Sequence, residues 1–238
     1  ASKRGERMIY LAADIHGHIR LDRLKKELDR LTFTDSDYLI LLGDAGIVWS
    51  AMEHSEVRAY YDSLPCKTLF LDGNHENFDL LYQYPQELFC GGHVHRVSDK
   101  IFHLMRGEVY SLDGESFFVF GGGFSAKKLT NSSPVFIWEQ EMPSKAEYEN
   151  GIQNLKRANF SVDYVLTHVA PTAVAENMGA ALFSEEKVLN DYLQEISGKI
   201  RYKKWYFGHY HKDAELQSFS CVYDRVVRLG ERNGTEIR

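Results

Sequence analysis

The composition of this 238-residue chain indicates a globular protein, because 44% of its residues are hydrophobic and 26% are charged. Its net charge of −6 excludes the basic field that a protein with broad nucleic-acid binding requires. No apolar run approaches the roughly 20 residues of a membrane span, and residues 1–7 lack the apolar segment of a secretory signal.

The first half of the chain alternates predicted strands and helices. Leucines at helical spacing predict a helix over Ile19–Leu31. The other elements expected here are the strands Met8–Ala13, Tyr38–Leu42 and Thr68–Leu71, a helix near Glu56–Ser63 and a short helix from about Asn77.

The second half repeats this alternation after a β-rich segment over Ile101–Gly122. Its predicted elements are the helices Ser144–Arg157 and Glu185–Ile196, the strands Tyr164–Leu166 and Lys204–Phe207, and β-like runs at Phe219–Tyr223 and Arg225–Leu229. No repeat or linker divides the chain, so we predict one domain over residues 1–238. The pattern fits an α/β fold, a four-layer αββα sandwich with two mixed β-sheets.

Five short groups of metal-ligand residue types follow predicted strands. They are Asp14-Ile15-His16, Gly43-Asp44, Gly73-Asn74-His75-Glu76, Thr167-His168 and Gly208-His209-Tyr210-His211. Because the carboxyl ends of strands meet at one edge of an α/β sheet, these groups are expected to converge. Any one of them alone is more readily a turn or a hydrogen-bonding pair. Together and in this order, they predict a metal centre with more than one ion.

The donor atoms of this set narrow the choice of metal. Two aspartates, one asparagine and four histidines, with no cysteine, suit Mn²⁺, Fe or Zn²⁺. Seven ligands are too many for one tetrahedral ion and suit two ions that share a carboxylate. We therefore predict two divalent metal ions, with Mn²⁺ expected first and Fe or Zn²⁺ as alternatives.

This ordered set of motifs resembles the calcineurin-like metallophosphoesterase superfamily over roughly residues 8–211. The resemblance implies the αββα fold. It also implies that Asp14, His16 and His211 hold one metal ion, that Asn74, His168 and His209 hold the other, and that Asp44 bridges both. By the same resemblance His75 binds no metal, contacts the phosphate, and protonates or stabilises the leaving oxygen.

The activity that the resemblance implies is a dinuclear-metal-dependent phosphoesterase. Such an enzyme hydrolyses a phosphomonoester or a phosphodiester by in-line attack of a metal-bridging hydroxide. One alternative is a nuclease of the same superfamily, for which a basic groove or an added capping region would be expected. The other is a catalytically silent metal-binding interaction module, which typically loses a ligand or the histidine at position 75. We predict a small phosphate-ester substrate, and the oligomeric state stays open.

The chain departs from the family pattern at two places. Many members read Gly-Asp-x-x-Asp, and the second aspartate orients the histidine of Gly-Asn-His. This chain has Ile47 at the position of that second aspartate. Glu76, Asp79 or Glu53 can take that part. The Ser/Thr protein phosphatase branch has an arginine where this chain has Asp72, which argues against a phosphatase of that type.

Other chemistry-bearing residues carry weaker signals. His93-Val94-His95 lacks an apolar strand before it, so we interpret it as an exposed connection. Arg106 is either a phosphate clamp or a member of an ion pair. Lys127 and Lys128 are either a solvated pair or a phosphate contact. Three widely spaced cysteines indicate reduced thiols and therefore a cytoplasmic location.

Overall fold

The computed structural model describes residues 7–50, 55–126 and 138–230, and every structural statement below concerns these residues. Its strands are β1 (Ile9–Ala12), β2 (Tyr38–Leu42), β3 (Lys67–Leu71), β4 (Gln86–Phe89), β5 (Gly92–Arg96), β6 (Ile101–Leu104), β7 (Glu108–Leu112), β8 (Glu115–Phe120), β9 (Tyr164–Thr167), β10 (Lys204–Phe207), β11 (Ala214–Leu216), β12 (Phe219–Cys221) and β13 (Val227–Arg228). Its α-helices are α1 (His18–Leu28), α2 (Glu56–Ser63), α3 (Phe78–Leu81), α4 (Lys145–Arg157), α5 (Thr172–Asn177) and α6 (Ser184–Lys199).

The strands form two mixed sheets. One has the order β13-β1-β2-β3-β6-β5-β4, and the other has the order β11-β12-β10-β9-β8-β7. In the first sheet β1, β2, β3 and β6 run parallel to one another. In the second sheet β8, β9, β10 and β12 do so. The carboxyl ends of each parallel set therefore lie at a single edge of its sheet.

Alternating side chains of the strands build the layers. In β1, Ile9 and Leu11 face a buried cluster that also contains Phe117 and Leu166 of the other sheet. This cluster is the core between the two sheets. Tyr10 and Ala12 point the opposite way, into a cluster with residues of α1, α2 and α3. A third cluster joins the outer face of the second sheet to α4, α5 and α6. The order of layers is thus α, β, β, α, as the sequence predicts.

Helix ends follow local capping chemistry. Ser144 accepts the Glu147 backbone N–H, and the Glu147 carboxylate returns to the Ser144 backbone N–H, which forms a capping box at the start of α4. Asn77 caps α3 through the Leu80 backbone N–H. The first helix ends at Leu28, three residues earlier than the leucine spacing predicts, since the chain turns at Asp29. None of the described helices has the length and hydropathy of a membrane-spanning helix.

The interpretation of His93-Val94-His95 as an exposed connection was wrong. These residues lie in β5, which pairs with β4 on one side and β6 on the other. His93 is exposed, but His95 is buried, and its Nδ1 lies 3.0 Å from Nδ1 of His103. A single apolar residue, Val94, leaves little of the period-2 pattern by which a strand is recognised. The three cysteines are free, as predicted.

Candidate metal centre

The predicted ligand residues lie where strands of both sheets end. Asp14 and His16 follow β1, Asp44 follows β2, and Asn74 follows β3; His168 directly follows β9, and His209 and His211 follow β10. Five of these residues have positive φ angles between 50° and 70°: Asp14, His16, Asp44, His209 and His211. Such a conformation is costly for residues other than glycine, and it clusters at functional sites. The turns after the strands thus aim these side chains at a shared space.

Asp14, His16 and His211 form a first group whose ligand atoms lie within 4.8 Å of one another. Nε2 of His16 is 3.3 Å from Nε2 of His211. Nε2 of His211 is 3.4 Å from Oδ1 of Asp14. The two imidazoles and one carboxylate oxygen therefore face a common point.

Asp44, Asn74 and His168 lie together on the other side of the same space. Nε2 of His168 is 3.5 Å from Oδ1 of Asp44 and 3.2 Å from Oδ1 of Asn74. Nδ1 of His168 is 2.8 Å from the Leu42 carbonyl oxygen, to which it donates, so Nε2 is the nitrogen left for an ion. Asp14 belongs to this group as well, because one of its carboxylate oxygens lies within 4.8 Å of a carboxylate oxygen of Asp44 and a ring nitrogen of His168.

The Asp44 carboxylate stands between the two groups. Its Oδ2 lies 3.6 Å from Nε2 of His16, and its Oδ1 lies 3.5 Å from Nε2 of His168. Gly73 permits this approach, because a Cβ there would overlap Oδ1 of Asp44 and lie 2.7 Å from Nε2 of His168. One carboxylate oxygen therefore faces each group, as a shared carboxylate requires.

An orphaned buried oxygen shows that these residues fit a cation. Asp14 is fully buried, and its Oδ2 accepts the His209 backbone N–H at 2.9 Å. Its Oδ1 has no hydrogen-bond partner among the described residues. Because an unpaired buried carboxylate oxygen is costly, a metal ion is the kind of partner this atom suits. The all-oxygen-and-nitrogen donor set agrees with the predicted metals.

The electrostatics of the site point the same way. Burial alone would raise the pKa of Asp44, but the imidazoles around it, His168 foremost, hold it well below its usual range. Burial alone would lower the pKa of His168, but the Asp44 carboxylate, together with Asp14 and the Leu42 carbonyl, raises it to about 10. The carboxylates therefore hold a positive charge at this point, which is either a proton on His168 or a cation in its place.

His209 lies beside these groups, with its ring centroid 5.0 Å from that of His168. Its Nε2 is 3.1 Å from Oε2 of Glu186, a buried residue of α6. Burial would raise the pKa of Glu186, but the hydrogen bond to His209 lowers it, so the group is a carboxylate. Glu186 was not predicted as part of the site.

His75 lies next to the candidate ligands without joining either group. Its backbone N–H donates to Oδ1 of Asp44 at 2.8 Å, and its ring centroid is 5.4 Å from that of His16. Two of the three carboxylates considered for its orientation have other partners. Glu76 accepts the backbone N–H groups of Ala45 and Gly46, and Asp79 accepts the Trp138 indole N–H. Glu53 lies outside the described residues.

Glu76 instead organises the turn that carries Asp44. Burial, together with the Asp44 charge, raises its pKa to about 8, although the two backbone donors act against this. The Gly-Asn-His-Glu motif gave no signal for this contact, because Glu76 lies 31 residues from Ala45, whose backbone N–H it accepts.

Arg106 is a member of an ion pair and not a phosphate clamp. Its Nε and Nη2 atoms donate to Oδ2 of Asp72 at 2.8 and 2.5 Å. Its guanidinium also reaches the carbonyl of Gln140, and the residue is 4% exposed. The fork is therefore committed to the protein interior. Lys127 and Lys128 lie outside the described residues.

His211 has aromatic support that the sequence motifs did not reveal. Its ring stacks on Tyr223, with centroids 4.8 Å apart and an interplanar angle of 14°. The guanidinium of Arg20 lies 3.7 Å from the Tyr223 centroid on this stack. Arg20 also donates to the Asp14 carbonyl, and hence ties the turn after β1 to the chain near Tyr223. The His211 side chain is otherwise half exposed.

A cavity of about 220 Å³ opens beside the candidate ligands. Its lining residues are Asp44, Asn74, His75, Phe124, Ser125, Ala126, Phe183, His209 and His211. Ser125 accepts a hydrogen bond from Nδ2 of Asn74 at 3.1 Å, which leaves Oδ1 of Asn74 directed at His168. The cavity thus has a wall of candidate ligands and an aromatic wall of Phe124 and Phe183.

Comparisons with known proteins agree with this architecture. The family model described as calcineurin-like phosphoesterase matches residues 8–213. A search of curated proteins found no significant match. Among solved structures, a candidate 5′-nucleotidase from Staphylococcus aureus is 14% identical with a TM-score of 0.50, and the match covers 93% of this chain and 50% of that chain. Phosphopantetheinyl hydrolase from Mycobacterium tuberculosis is 15% identical with a TM-score of 0.49, over 97% of this chain and 99% of that chain.

Proposed function

We propose that this chain, which belongs to the calcineurin-like phosphoesterase family, is a metal-dependent hydrolase that acts on small phosphate esters with two divalent metal ions. The observation that carries the proposal is the pair of ligand groups that share Asp14, with Asp44 between them. The chain spans half the length of the 5′-nucleotidase neighbour, so nothing about that protein's substrate is carried over.

The ligand assignment is the one that the family resemblance implies; the two groups support it, and His209 lies beside them without belonging to either. Asp14, His16 and His211 would hold one ion, and Asn74, His168 and His209 would hold the other. Asp44 would be shared by both ions, which its contacts of 3.6 Å with His16 and 3.5 Å with His168 support. When bound, such ions supply a lowered pKa of water and neutralise the charge of phosphoryl oxygens. Mn²⁺ is the first candidate, with Fe or Zn²⁺ as alternatives.

The residues of the chain place and protonate the substrate. His75 lines the cavity beside Asp44, where its imidazole can protonate or stabilise the leaving oxygen of the ester. The backbone N–H of His75 donates to Oδ1 of Asp44, so the backbone of His75 keeps a fixed position relative to the proposed shared carboxylate. Phe124 and Phe183 give the cavity an apolar wall, a kind of surface that helps to keep water from a bound ester.

The size and charge of the site support a small ester over a nucleic acid. Among the described residues, none that lines the cavity of about 220 Å³ is a lysine or an arginine. The whole chain carries a net charge of −6, which repels a polyanion. A short phosphate ester needs only the ligand groups and His75.

Hydrolysis of p-nitrophenyl phosphate and bis-p-nitrophenyl phosphate with added Mn²⁺ tests the proposal. The parent protein should hydrolyse at least one of them, and His75→Ala should reduce kcat by about 10²–10⁴-fold with both ions still bound. Asn74→Ala should lose activity together with one ion per chain. The ratio of the two substrates decides between a monoesterase and a diesterase.

His93→Ala is the matched control, because His93 is an exposed histidine on β5 whose imidazole contacts Glu108. It should keep both the bound ions and the rate. A parent protein that binds two ions and hydrolyses neither ester contradicts the activity with these substrates and favours a silent metal-binding module.

A further inference from the structure

Glu186 is a buried carboxylate on a helix end beside the candidate metal centre. It is the third residue of α6 and is 1% exposed, whereas its neighbour Glu185 is exposed and contacts only Ser184 among the contacts described. An acidic residue is fully buried only when it is paired. The partners of Glu186 therefore indicate why it is there.

Both partners of Glu186 belong to the site. Its Oε2 lies 3.1 Å from Nε2 of His209 and accepts the Phe124 backbone N–H at 2.9 Å. His209 is a proposed ligand, and Phe124 forms the aromatic wall of the cavity. One carboxylate oxygen thus joins the end of β10 to the segment after β8.

The contact decides which nitrogen of His209 can bind an ion. The Glu186 carboxylate can only accept, so its approach to 3.1 Å from Nε2 favours the tautomer with the hydrogen on Nε2 and the lone pair on Nδ1. His168 shows the opposite arrangement, because its Nδ1 donates to the Leu42 carbonyl and its Nε2 faces Asp44 and Asn74. The two histidines assigned to the same ion therefore each have the non-ligating nitrogen fixed, one by a backbone carbonyl and one by a carboxylate.

The backbone of His209 is fixed as well. Its N–H donates to Oδ2 of Asp14 at 2.9 Å, and its φ angle is 70°. With the backbone held and Nε2 beside Glu186, Nδ1 is the nitrogen left for an ion. No other carboxylate contact to the ring is described.

We propose that Glu186 is a positioning residue that orients His209, through Nε2, so that Nδ1 binds the second metal ion. The inference rests on the proposed two-metal function, because it names how one ligand of that site is held. Glu186 touches neither the ion nor the substrate in this arrangement. It acts on the ion through His209 and on the cavity wall through Phe124.

Four variants separate this role from the alternatives. Glu186→Ala removes both hydrogen bonds. Glu186→Asp keeps the charge but withdraws the carboxylate by one methylene, and Glu186→Gln keeps the length and an oxygen that accepts both N–H groups. Glu185→Ala is the matched control, because it removes an exposed carboxylate one residue away on the same helix.

The measurement is calorimetric titration of each full-length protein with Mn²⁺, with electron paramagnetic resonance of the loaded samples. The parent should bind two ions per chain and show a spin-coupled spectrum. Glu186→Ala and Glu186→Asp should bind one ion with affinity about 10–100-fold weaker, keep the other unchanged, and give the spectrum of isolated Mn²⁺. Glu186→Gln should stay within a few-fold of the parent, and Glu185→Ala should match it.

Each other outcome overturns the inference in a distinct way. An equal loss of Mn²⁺ affinity in Glu186→Gln and Glu186→Asp would indicate that Glu186 is itself a ligand. Equally weakened binding of both ions would indicate a merely structural role. Unchanged Mn²⁺ binding in Glu186→Asp would contradict a role of Glu186 in metal binding. The comparison of Glu186→Asp with Glu186→Gln tests the inference even if Glu186→Ala does not fold. A parent that binds fewer than two ions would instead contradict the proposed function.

Discussion

Asp72 places a negative charge in the core two residues before Asn74. Burial would raise its pKa, but Arg106 and His103 hold the pKa far below its usual range. Oδ1 is 3.0 Å from Nε2 of His103, and Oδ2 accepts the Arg106 fork. Its backbone carbonyl accepts the Gly122 N–H, which a Cβ at Gly121 would obstruct at 2.6 Å. The residue that argued against a protein phosphatase thus serves to fix the end of β3.

A buried ion pair of this kind gives little net stability, because desolvation offsets the attraction. The ion pair instead fixes the geometry, since the Asp72 carboxylate is satisfied only when His103 and Arg106 reach it. The Asp72 carbonyl in turn accepts from Gly122 of the 121–123 segment. The strand end that carries Asn74 therefore has one favoured position.

Asp163 offers a prediction on pH-dependent stability away from the site. Its Oδ2 accepts the backbone and hydroxyl hydrogens of Ser116, and Oδ1 pairs with Lys203 at 2.9 Å. Burial would raise its pKa, but the Lys203 contact and the Ser116 donors lower it to about 2. Because the folded pKa lies below the unfolded value of about 3.9, the carboxylate stabilises the fold above pH 4 and loses this effect as pH falls towards 2.

Asp163→Asn should therefore lower the free energy of unfolding by about 1–2 kcal/mol at pH 7, a value reduced by the partial exposure of the pair. For a chain of this size the corresponding fall in Tm is about 2–8 °C. Circular dichroism melts from pH 7 downward should show the difference shrinking below pH 4. Asp22→Asn, at a largely exposed carboxylate, is the control and should match the parent. A difference that persists undiminished at pH 3 would contradict the assignment.

At the scale of elements, the sequence predicts what depends on short-range pattern. The strands Tyr38–Leu42 and Lys204–Phe207 and the helix Glu56–Ser63 have the predicted ends, because apolar runs and a serine cap mark them. The convergence of the ligand groups was also predictable, since parallel strands share one edge. Neither conclusion requires knowing which strand pairs with which.

The features that the sequence did not predict depend on contacts between residues that are distant in the chain. The edge strand β4 was missed because its Gln86-Glu87-Leu88-Phe89 sequence has no buried face to mark it. The burial of His95 depends on His103 across a strand pair. Glu186 reaches the site from a helix that the sequence predicts correctly, but its partners Phe124 and His209 lie 62 and 23 residues away. A contact between distant elements produces no periodic pattern in the sequence from which it could be predicted.

The turn after β3 yields a prediction about close packing. Gly73→Ala would place a Cβ onto Oδ1 of Asp44 and 2.7 Å from Nε2 of His168. We expect a loss of about 1–3 kcal/mol in stability from overpacking and weaker binding of Mn²⁺, since Asp44 must move. Gly198→Ala, in α6 with no atom within 4 Å of the added carbon, should be neutral or stabilising by up to about 1 kcal/mol. Urea unfolding and Mn²⁺ titration of both variants test this; equal metal affinity in Gly73→Ala and the parent would contradict it.

At the scale of the molecule, the candidate centre joins the two sheets. Asp14, His16, Asp44 and Asn74 follow strands of one sheet, and His168, His209 and His211 follow strands of the other. The sheets also share one hydrophobic core. An ion coordinated from both sheets can bind tightly only while they are packed together, so metal binding and the packing of the sheets are linked.

That linkage predicts a single unfolding transition whose midpoint rises with Mn²⁺. At a free concentration 100 times Kd, one ion adds about 2.7 kcal/mol, which for a chain of this size raises Tm by about 5–10 °C. Scanning calorimetry of the full chain, with Mn²⁺ and with chelator, should give one peak in both cases, with equal calorimetric and van't Hoff enthalpies. His211→Ala should reduce the rise while leaving the Tm with chelator nearly unchanged, because this side chain is 51% exposed. His93→Ala, at an exposed histidine far from the ligand groups in sequence, should keep the full rise. Two peaks of which Mn²⁺ moves only one would contradict both the single domain predicted over residues 1–238 and the coordination of ions from both sheets.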